Sequence, residues 1–421
     1  MKRLHVYLNN VKVGFLSDTD QLTFTYDPDW LATGPGYPLS RQLPLNPEPM
    51  SGKAVRAFFS GLLPEAEPRE RIASILGVST GNDFAMLEGI GGECAGAVSL
   101  LPQDASSPDP SSGSLRWLDE TSLASIIDRL PQRPLMAGEE GLRLSLAGAQ
   151  VKLPVVLAEG GGTTGARIAL PLEGIPSTHI LKPEPERFPG LAANEAWCMD
   201  LARKVGLKVA ESQRRRIGTT PCLIVKRYDR VLATDGKVQR LHQEDFCQAL
   251  GFPAARKYQQ EGGPSLTDCF DLIREWSSVP VIDIRDFLDA VIFGTLTGNA
   301  DAHSKNFSFL YSGKERRLAP LYDQVCTLAW SELSKRLSMK IGTAATLSEV
   351  SPEHFRQLAT SARLSWPLVR ERVITMADRV AKTCPQLEGY PEGGMHEATR
   401  SPSTIVKERS ERMLRLGRTA S

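Results

Sequence analysis

Leu4, Val6 and Leu8 alternate with more polar neighbours, the chain turns at Asn9-Asn10, and Val11, Val13 and Phe15 resume the alternation. A period of two broken by an Asn-Asn pair predicts a β-hairpin. Apolar residues at helical spacing predict helix from Gly52 to Leu76, and the chain returns to strands from Glu88 to Leu101 through the glycine-rich GIGGECAG. Residues 104–114 read DASSPDPSSGS, nearly pure turn chemistry, which predicts a boundary.

From Arg116 to about Arg240 short β-like runs dominate: Leu142–Leu146, Lys152–Leu157, His179–Leu181 and Leu223–Val225. One helix interrupts them, with Ala193, Ala196, Trp197, Leu201 and Val205 at helical spacing and an end near Gly206. Beyond Gln243 the pattern is mainly helical, and VIDIRDFLDAVIFGTLTGN is apolar on several faces, as a buried central helix is. The tail, Glu392 to Ser421, alternates signs with few large apolar residues and predicts disorder or a partner-bound helix. The reading is α+β, with a small unit at 1–102, a linker at 103–115, a strand-rich region at 116–240, a helical region at 241–390 and the tail at 391–421.

Composition narrows this picture. A chain of 421 residues predicts two or three domains, and 41% apolar with 24% charged residues is ordinary globular usage. Fifty basic against 49 acidic side chains supply no overall field for nucleic acid or an anionic membrane, so contacts such as Arg214-Arg215-Arg216 are local at most. Seven scattered cysteines without metal or redox spacing read as reduced thiols. No stretch approaches the ~20 apolar residues that span a bilayer, and no leader pattern opens the chain, so a soluble cytoplasmic protein with no membrane partner is expected.

The chemistry concentrates in GNADAHSKNFSFLYSGKERRLAPLYDQ, residues 298–324, directly after the apolar helix. Asn306 opens a strand-like run, SGKE turns, and the return ends at Asp323. A turn centred on Lys314 and Glu315 sets Asn306 opposite Asp323, and an amide oxygen beside a carboxylate suits Mg²⁺ held chiefly by nucleotide phosphates. Asp301 lies five positions before Asn306. Protein kinases use this spacing, because one short loop must hold a base at the acceptor hydroxyl and a ligand at the metal. An ordinary turn also collects Asn, Asp and Gly, and the match with Asp323 is what favours the chemical reading. Within the loop, Lys305 reads either as a phosphate-neutralising group or as a solvated lysine, with His303 beside it.

An ATP-binding region needs a strand lysine and a close-approach loop. Lys182 ends a β-like run and Glu195 opens the following helix, where they suit either an ion pair or, separately, a surface lysine and a favourable helix N-terminal charge. LSLAGAQVK, residues 144–152, lets backbone amides approach phosphates, and a plain tight hairpin explains it equally. In LIVKRYDR, residues 223–230, backbone groups of Lys226 and Tyr228 are placed to meet adenine and Asp229 a ribose, the alternative being an edge strand.

Together, S-x-A-G-A-Q-x-K, H-I-L-K-P, A-N-E-x-x-C-M, V-K-R-Y-D-R, H-Q-E-D-F-C-Q and N-A-D-A-H-S-K-N-F-S resemble the HipA family of toxin kinases, in order from about residue 4 to 385. The resemblance implies a two-lobed protein-kinase-like fold whose β-rich N-terminal lobe carries a small α+β subdomain. It implies a serine/threonine kinase using ATP and Mg²⁺, paired with a HipB-like helix-turn-helix antitoxin that carries it to operator DNA. The implied acceptor is an aminoacyl-tRNA synthetase such as glutamyl-tRNA synthetase, so that translation stops and growth arrests in persistence.

Carried over, Asp301 is the expected base with Lys305 beside it, and Asn306 and Asp323 are the expected Mg²⁺ ligands. Lys182 and the loop Ala147, Gly148, Ala149, Gln150, Val151 and Lys152 are expected at the phosphates, and Lys226, Arg227, Tyr228 and Asp229 at the hinge. His303, Ser304, Lys305, Asn306, Tyr322 and Asp323 complete the implied nucleotide pocket. Ser145 matches an autophosphorylated serine. At Lys226 the chain departs from relatives that carry an acidic residue, a change that a backbone contact tolerates. Two other functions stay open on the residues alone: a corepressor scaffold with little kinase activity, and a small-molecule kinase.

Overall fold

The computed structural model describes residues 2–34, 36–105, 113–158, 167–234, 236–387 and 400–419. It divides into two compact units, one of Met1–Pro183, Arg215–Ala255 and Phe309–Arg316, the other of Glu184–Arg214, Arg256–Ser308 and Arg317–Ser421. These bounds cut across the segments expected from the sequence: Glu184–Arg214, from the expected strand-rich region, joins the second unit, and Phe309–Arg316, from the expected helical region, joins the first.

The first unit opens with the expected hairpin, β1 (Arg3–Leu8) and β2 (Val11–Asp18). Asn9 and Asn10 join them at φ 48° and 68°, the paired left-handed conformation that a two-residue hairpin requires. With β3 (Leu22–Tyr26), β4 (Met50–Ser51) and β5 (Val98–Pro102) they form a sheet of order β4-β3-β2-β1-β5. α1 (Pro28–Thr33) follows β3. The helix expected over 52–76 resolves into α2 (Lys53–Ser60) and α3 (Ala66–Leu76), with Pro64 in the break, where its missing N–H interrupts the ladder. Glu88 falls in α4 (Asp83–Ile90) rather than in a strand; Asn82 caps that helix by accepting from the Ala85 N–H.

A second sheet takes β6 (Leu115–Leu118), β7 (Leu153–Ala158), β8 (Arg167–Pro171), β9 (His179–Pro183), β10 (Ser212–Ile217) and β11 (Thr220–Lys226), in the order β10-β11-β9-β7-β8-β6. α5 (Glu120–Arg129), capped by Asp119, was not anticipated. Leu142–Leu146 is no strand; Leu144 makes only an isolated bridge to Glu93. Most of the 103–115 linker falls outside the described residues. One apolar cluster runs from Val6, Phe24 and Phe58 to Val155, Leu181 and Ile224, so both sheets share a core in which each buried large side chain contributes about 1.5–3 kcal/mol. The unit ends with the hairpin β12 (Arg230–Leu232) and β13 (Val238–Arg240), a sheet of β14 (His242–Asp245), β15 (Ser308–Ser312) and β16 (Glu315–Leu318), and α7 (Phe246–Leu250).

The second unit is mainly helical: α6 (Leu191–Lys204), α8 (Leu266–Trp276), α9 (Pro280–Thr297), α10 (Pro352–Ser361), α11 (Trp366–Thr383) and α12 (Pro402–Thr419). A hairpin of β17 (Arg336–Ile341) and β18 (Ala344–Thr346), absent from the sequence reading, lies among them. α9 is buried along its last eleven residues, Phe287 to Thr297. Phe287 packs edge-on between Phe270 and Phe307, at 4.9 and 4.8 Å between ring centres.

The expected tail is corrected over its described part. Ile405, Val406 and Met413 of α12 are buried in this unit, and Arg409 donates to the carbonyls of Thr295 at 2.8 Å and Leu347 at 3.2 Å. The sparse apolar residues recur at helical spacing, and that suffices for one narrow buried face.

Candidate active site

α9 fixes where the loop begins. Gly298 closes the helix at φ 73°, donating to Gly294 and Thr295, and a Cβ there would meet Leu328 Cδ1 at 3.0 Å. This is the left-handed glycine cap of a helix. Asn299 Oδ1 accepts the Asp301 N–H at 3.0 Å, while the Ala300 N–H donates to Thr327 Oγ1 at 2.9 Å. From β17, the Ser338 N–H and hydroxyl both donate to the Ala300 carbonyl at 2.9 Å. The loop is thereby held from three elements before its first chemical residue.

Asp301 is exposed, yet protein crowds around its carboxyl. That burial pushes its pKa up, Lys257 pulls it down, and Asp323 pushes it up; water reaching the side chain tempers the shift. A 3₁₀ turn, Ser304–Asn306, follows, with the Asn306 N–H on the His303 carbonyl at 2.9 Å. His303, Ser304, Lys305 and Asn306 are all buried, which excludes the solvated lysine. The Tyr322 hydroxyl donates to the Lys305 carbonyl at 2.7 Å.

Asn306 Nδ2 donates to Asp323 Oδ2 at 3.1 Å, so the expected pair meets. It meets by a path other than the expected hairpin register. The turn is at Gly313-Lys314, and the Ala319 N–H donates to the Ser308 carbonyl, a register whose continuation would set Asn306 across from Leu321. Asp323 instead reaches Asn306 from an irregular segment in which Leu321 bridges Val209. Its own φ is 58°, a left-handed conformation for a residue with a Cβ, of the kind found at functional sites. Asn306 Oδ1 is buried with no hydrogen-bond partner among the described residues. A desolvated amide oxygen beside a carboxylate fits Mg²⁺, a hard cation that takes oxygen ligands and leaves the rest of its shell to phosphates and water. Among the described residues no cluster of three or more His, Cys, Asp or Glu side chains is arranged to hold a metal alone.

The first unit holds most of the other expected residues. Lys182 is buried in β9, and Glu195 is buried in α6 of the second unit. The loop after Ser145 is closed by Lys152, whose Nζ donates to the Ala147 carbonyl at 2.5 Å across Gly148, at φ 108°. Ala149 at its crest is exposed, and Gln150 and Val151 are half-buried. Ser145 is buried, its N–H on the Glu93 carbonyl and its hydroxyl on the Leu62 carbonyl, each at 2.8 Å. Lys226 is exposed at the end of β11, paired with His179, and the Tyr228 hydroxyl donates to Gln243 Oε1.

Arg227 and Asp229 correct the sequence reading. Both are buried, and Arg227 donates to Asp229 at 2.9 and 2.8 Å. Arg230 donates to Glu93 at 2.9 Å, and Asp229 also accepts the Gly96 N–H at 2.8 Å. Although burial opposes it, the surrounding guanidinium groups hold both the Glu93 and Asp229 carboxyls below the usual range. These side chains are engaged with one another inside the fold. The sequence reading also missed Glu93, Lys257, Tyr258 and Ser338, all far along the chain from the groups they serve.

Residues 144–387 match the HipA-like C-terminal domain, and residues 4–101 the HipA N-terminal domain. The chain belongs to the HipA family. "Putative kinase Y4mE" of Sinorhizobium fredii is 47% identical over 363 residues, 85% of each chain. "Serine/threonine-protein kinase toxin HipA" of Shewanella oneidensis is 31% identical over 399 residues, 91% of this chain and 88% of that one. A solved Shewanella oneidensis HipA, in complex with HipB and operator DNA, superposes with a TM-score of 0.84 at 28% identity, covering 99% of this chain and 98% of that one. The fold is accordingly the α+β, two-lobed kinase-like fold of HipA, and the chain is an enzyme of this serine/threonine kinase family.

Proposed function

We propose that this HipA-family kinase transfers the γ-phosphate of ATP to a serine or threonine of a protein, an aminoacyl-tRNA synthetase such as glutamyl-tRNA synthetase, in the cytoplasm. Arrest of aminoacylation stops translation and drives growth arrest and persistence. The observation that carries this is the buried, partnerless Asn306 oxygen beside Asp323, on the loop that presents Asp301.

Asp301 accepts the proton of the acceptor hydroxyl as its oxygen bonds the γ-phosphorus and the bond to the β-phosphate oxygen breaks, releasing ADP. Asn306 and Asp323 would hold Mg²⁺, which would offset phosphate charge. Lys182, Lys305 and the loop Ala147–Lys152 orient the phosphates, and backbone groups of Lys226–Tyr228 meet adenine. Ser145 is the autophosphorylation site. Its burial means that the strand of chain around it must leave Glu93 and Leu62 first, and the added charge of about −2 then keeps it out.

The test incubates the chain with labelled ATP, Mg²⁺ and a panel of aminoacyl-tRNA synthetases. Label should appear on one of them and fall by about 10²–10⁴-fold with Asp301→Gln. Equal transfer by both proteins would remove Asp301 from its role. A second reading, corepression, is favoured by the solved relative's assembly with HipB and operator DNA. A HipB-like helix-turn-helix antitoxin is the partner it requires, and both roles fit one protein.

A further inference from the structure

Between α7 and α8 the chain makes two short 3₁₀ turns, Ala254–Arg256 and Gln259–Glu261, with Lys257 and Tyr258 between them. The segment is built to one conformation. The Tyr258 carbonyl accepts the N–H groups of Glu261 and Gly263, each at 3.0 Å. Gly263 approaches so closely that a Cβ would lie 2.2 Å from the Arg256 carbonyl oxygen. Gln259 Oε1 takes the Lys340 N–H at 2.7 Å, tying the segment to β17, the strand that carries Ser338.

The same segment is fastened to the loop of Asp301. Ser304 Oγ donates to the Lys257 carbonyl at 3.4 Å. The Tyr258 ring stands edge-on to His303, 5.5 Å between centres at 73°, and Lys257 Nζ lies 5.4 Å from that ring. The Tyr258 side chain hydrogen-bonds Asp301, and Lys257 is near enough to act on its charge. Both side chains are only half-buried, so packing does not account for the number of fastenings.

We propose that Lys257 and Tyr258 belong to the machinery of phosphoryl transfer: Tyr258 is a positioning residue that aims the Asp301 carboxylate, and Lys257 sets a positive charge beside it on the acceptor side. Asp301, Asp323 and a triphosphate concentrate negative charge there, and a fixed cation at the edge of that cluster stabilises the transferring group as charge redistributes. The hydroxyl of Tyr258 removes rotational freedom from the one carboxylate that must meet the acceptor. The inference rests on the kinase reading above.

The experiment uses the full chain with labelled ATP and Mg²⁺, following phosphate incorporation into the chain itself, and measures binding of a non-hydrolysable ATP analogue by calorimetry. Tyr258→Phe should slow incorporation roughly tenfold and Lys257→Met about a hundredfold, while analogue affinity stays within about twofold. Lys257→Arg should restore most of the rate. Incorporation at the wild-type rate by both Tyr258→Phe and Lys257→Met would overturn the inference. So would a loss of analogue binding or of the thermal transition that matches the loss of rate and is shared by Lys257→Arg, since the pair would then be merely structural. Wild-type chain that binds the analogue yet passes label neither to itself nor to any synthetase of the panel removes the kinase reading, and the inference falls with it.

Discussion

Glu93 faces Arg227, Arg230 and Arg240, and Asp229 pairs with the first two. Removing one partner of a buried ion group costs more than the pair is worth, because the remaining charges stay desolvated. Glu93→Gln is expected to destabilise the fold by about 3–5 kcal/mol, seen as a lower urea midpoint. Nothing in V-K-R-Y-D-R announces this: charged residues at that spacing look alike whether they face solvent, a nucleotide or a glutamate more than a hundred positions away. His242 gives a second residue-scale expectation. Burial lowers its pKa from 6.5 to about 4, with the ring on the Leu39 carbonyl at 2.8 Å. The unfolded chain therefore binds more protons between those values, and stability falls as pH drops through that window, by about 3 kcal/mol in full. Burial raises the neighbouring Glu244 carboxyl and works in the opposite direction. Between about pH 7 and about pH 5 wild type should lose more stability than His242→Gln, read from urea midpoints.

Among the elements, α9 was the most legible. Its apolar faces, its length and the glycine that ends it are local properties, and they located the loop of Asp301 and Asn306. The approach of Asp323 was legible only as a pairing; the true path, through the bridge of Leu321 to Val209, depends on a segment a hundred residues earlier. β17 and β18 were missed for a related reason, since short strands set among helices carry too few alternating positions to signal themselves. Gly298→Ala should cost about 1–2 kcal/mol from its positive φ alone, and the contact with Leu328 adds to it. A lowered melting temperature together with slower transfer checks this.

At the scale of the whole molecule, near-neutral charge predicts that the chain alone holds DNA weakly and loses it with modest salt. In a gel shift with operator DNA, the chain should leave the DNA free by itself and change the mobility only when a helix-turn-helix antitoxin is present. A shift by the chain alone at physiological salt would contradict this. The family, the α+β class and the kinase class were readable from motifs, whereas the two units were not, because burial and not sequence order decides which segments join.

The grip of Arg409 on Thr295 has one more consequence, for synthesis. A polypeptide still on the ribosome has made Asp301, Asn306 and Asp323 long before residue 409, but the end of α9 has no guanidinium on its carbonyl and no α12 against it. Prematurely terminated products stop in that condition. The helix end that presents the loop of Asp301 is thus completed only once α12 has been made.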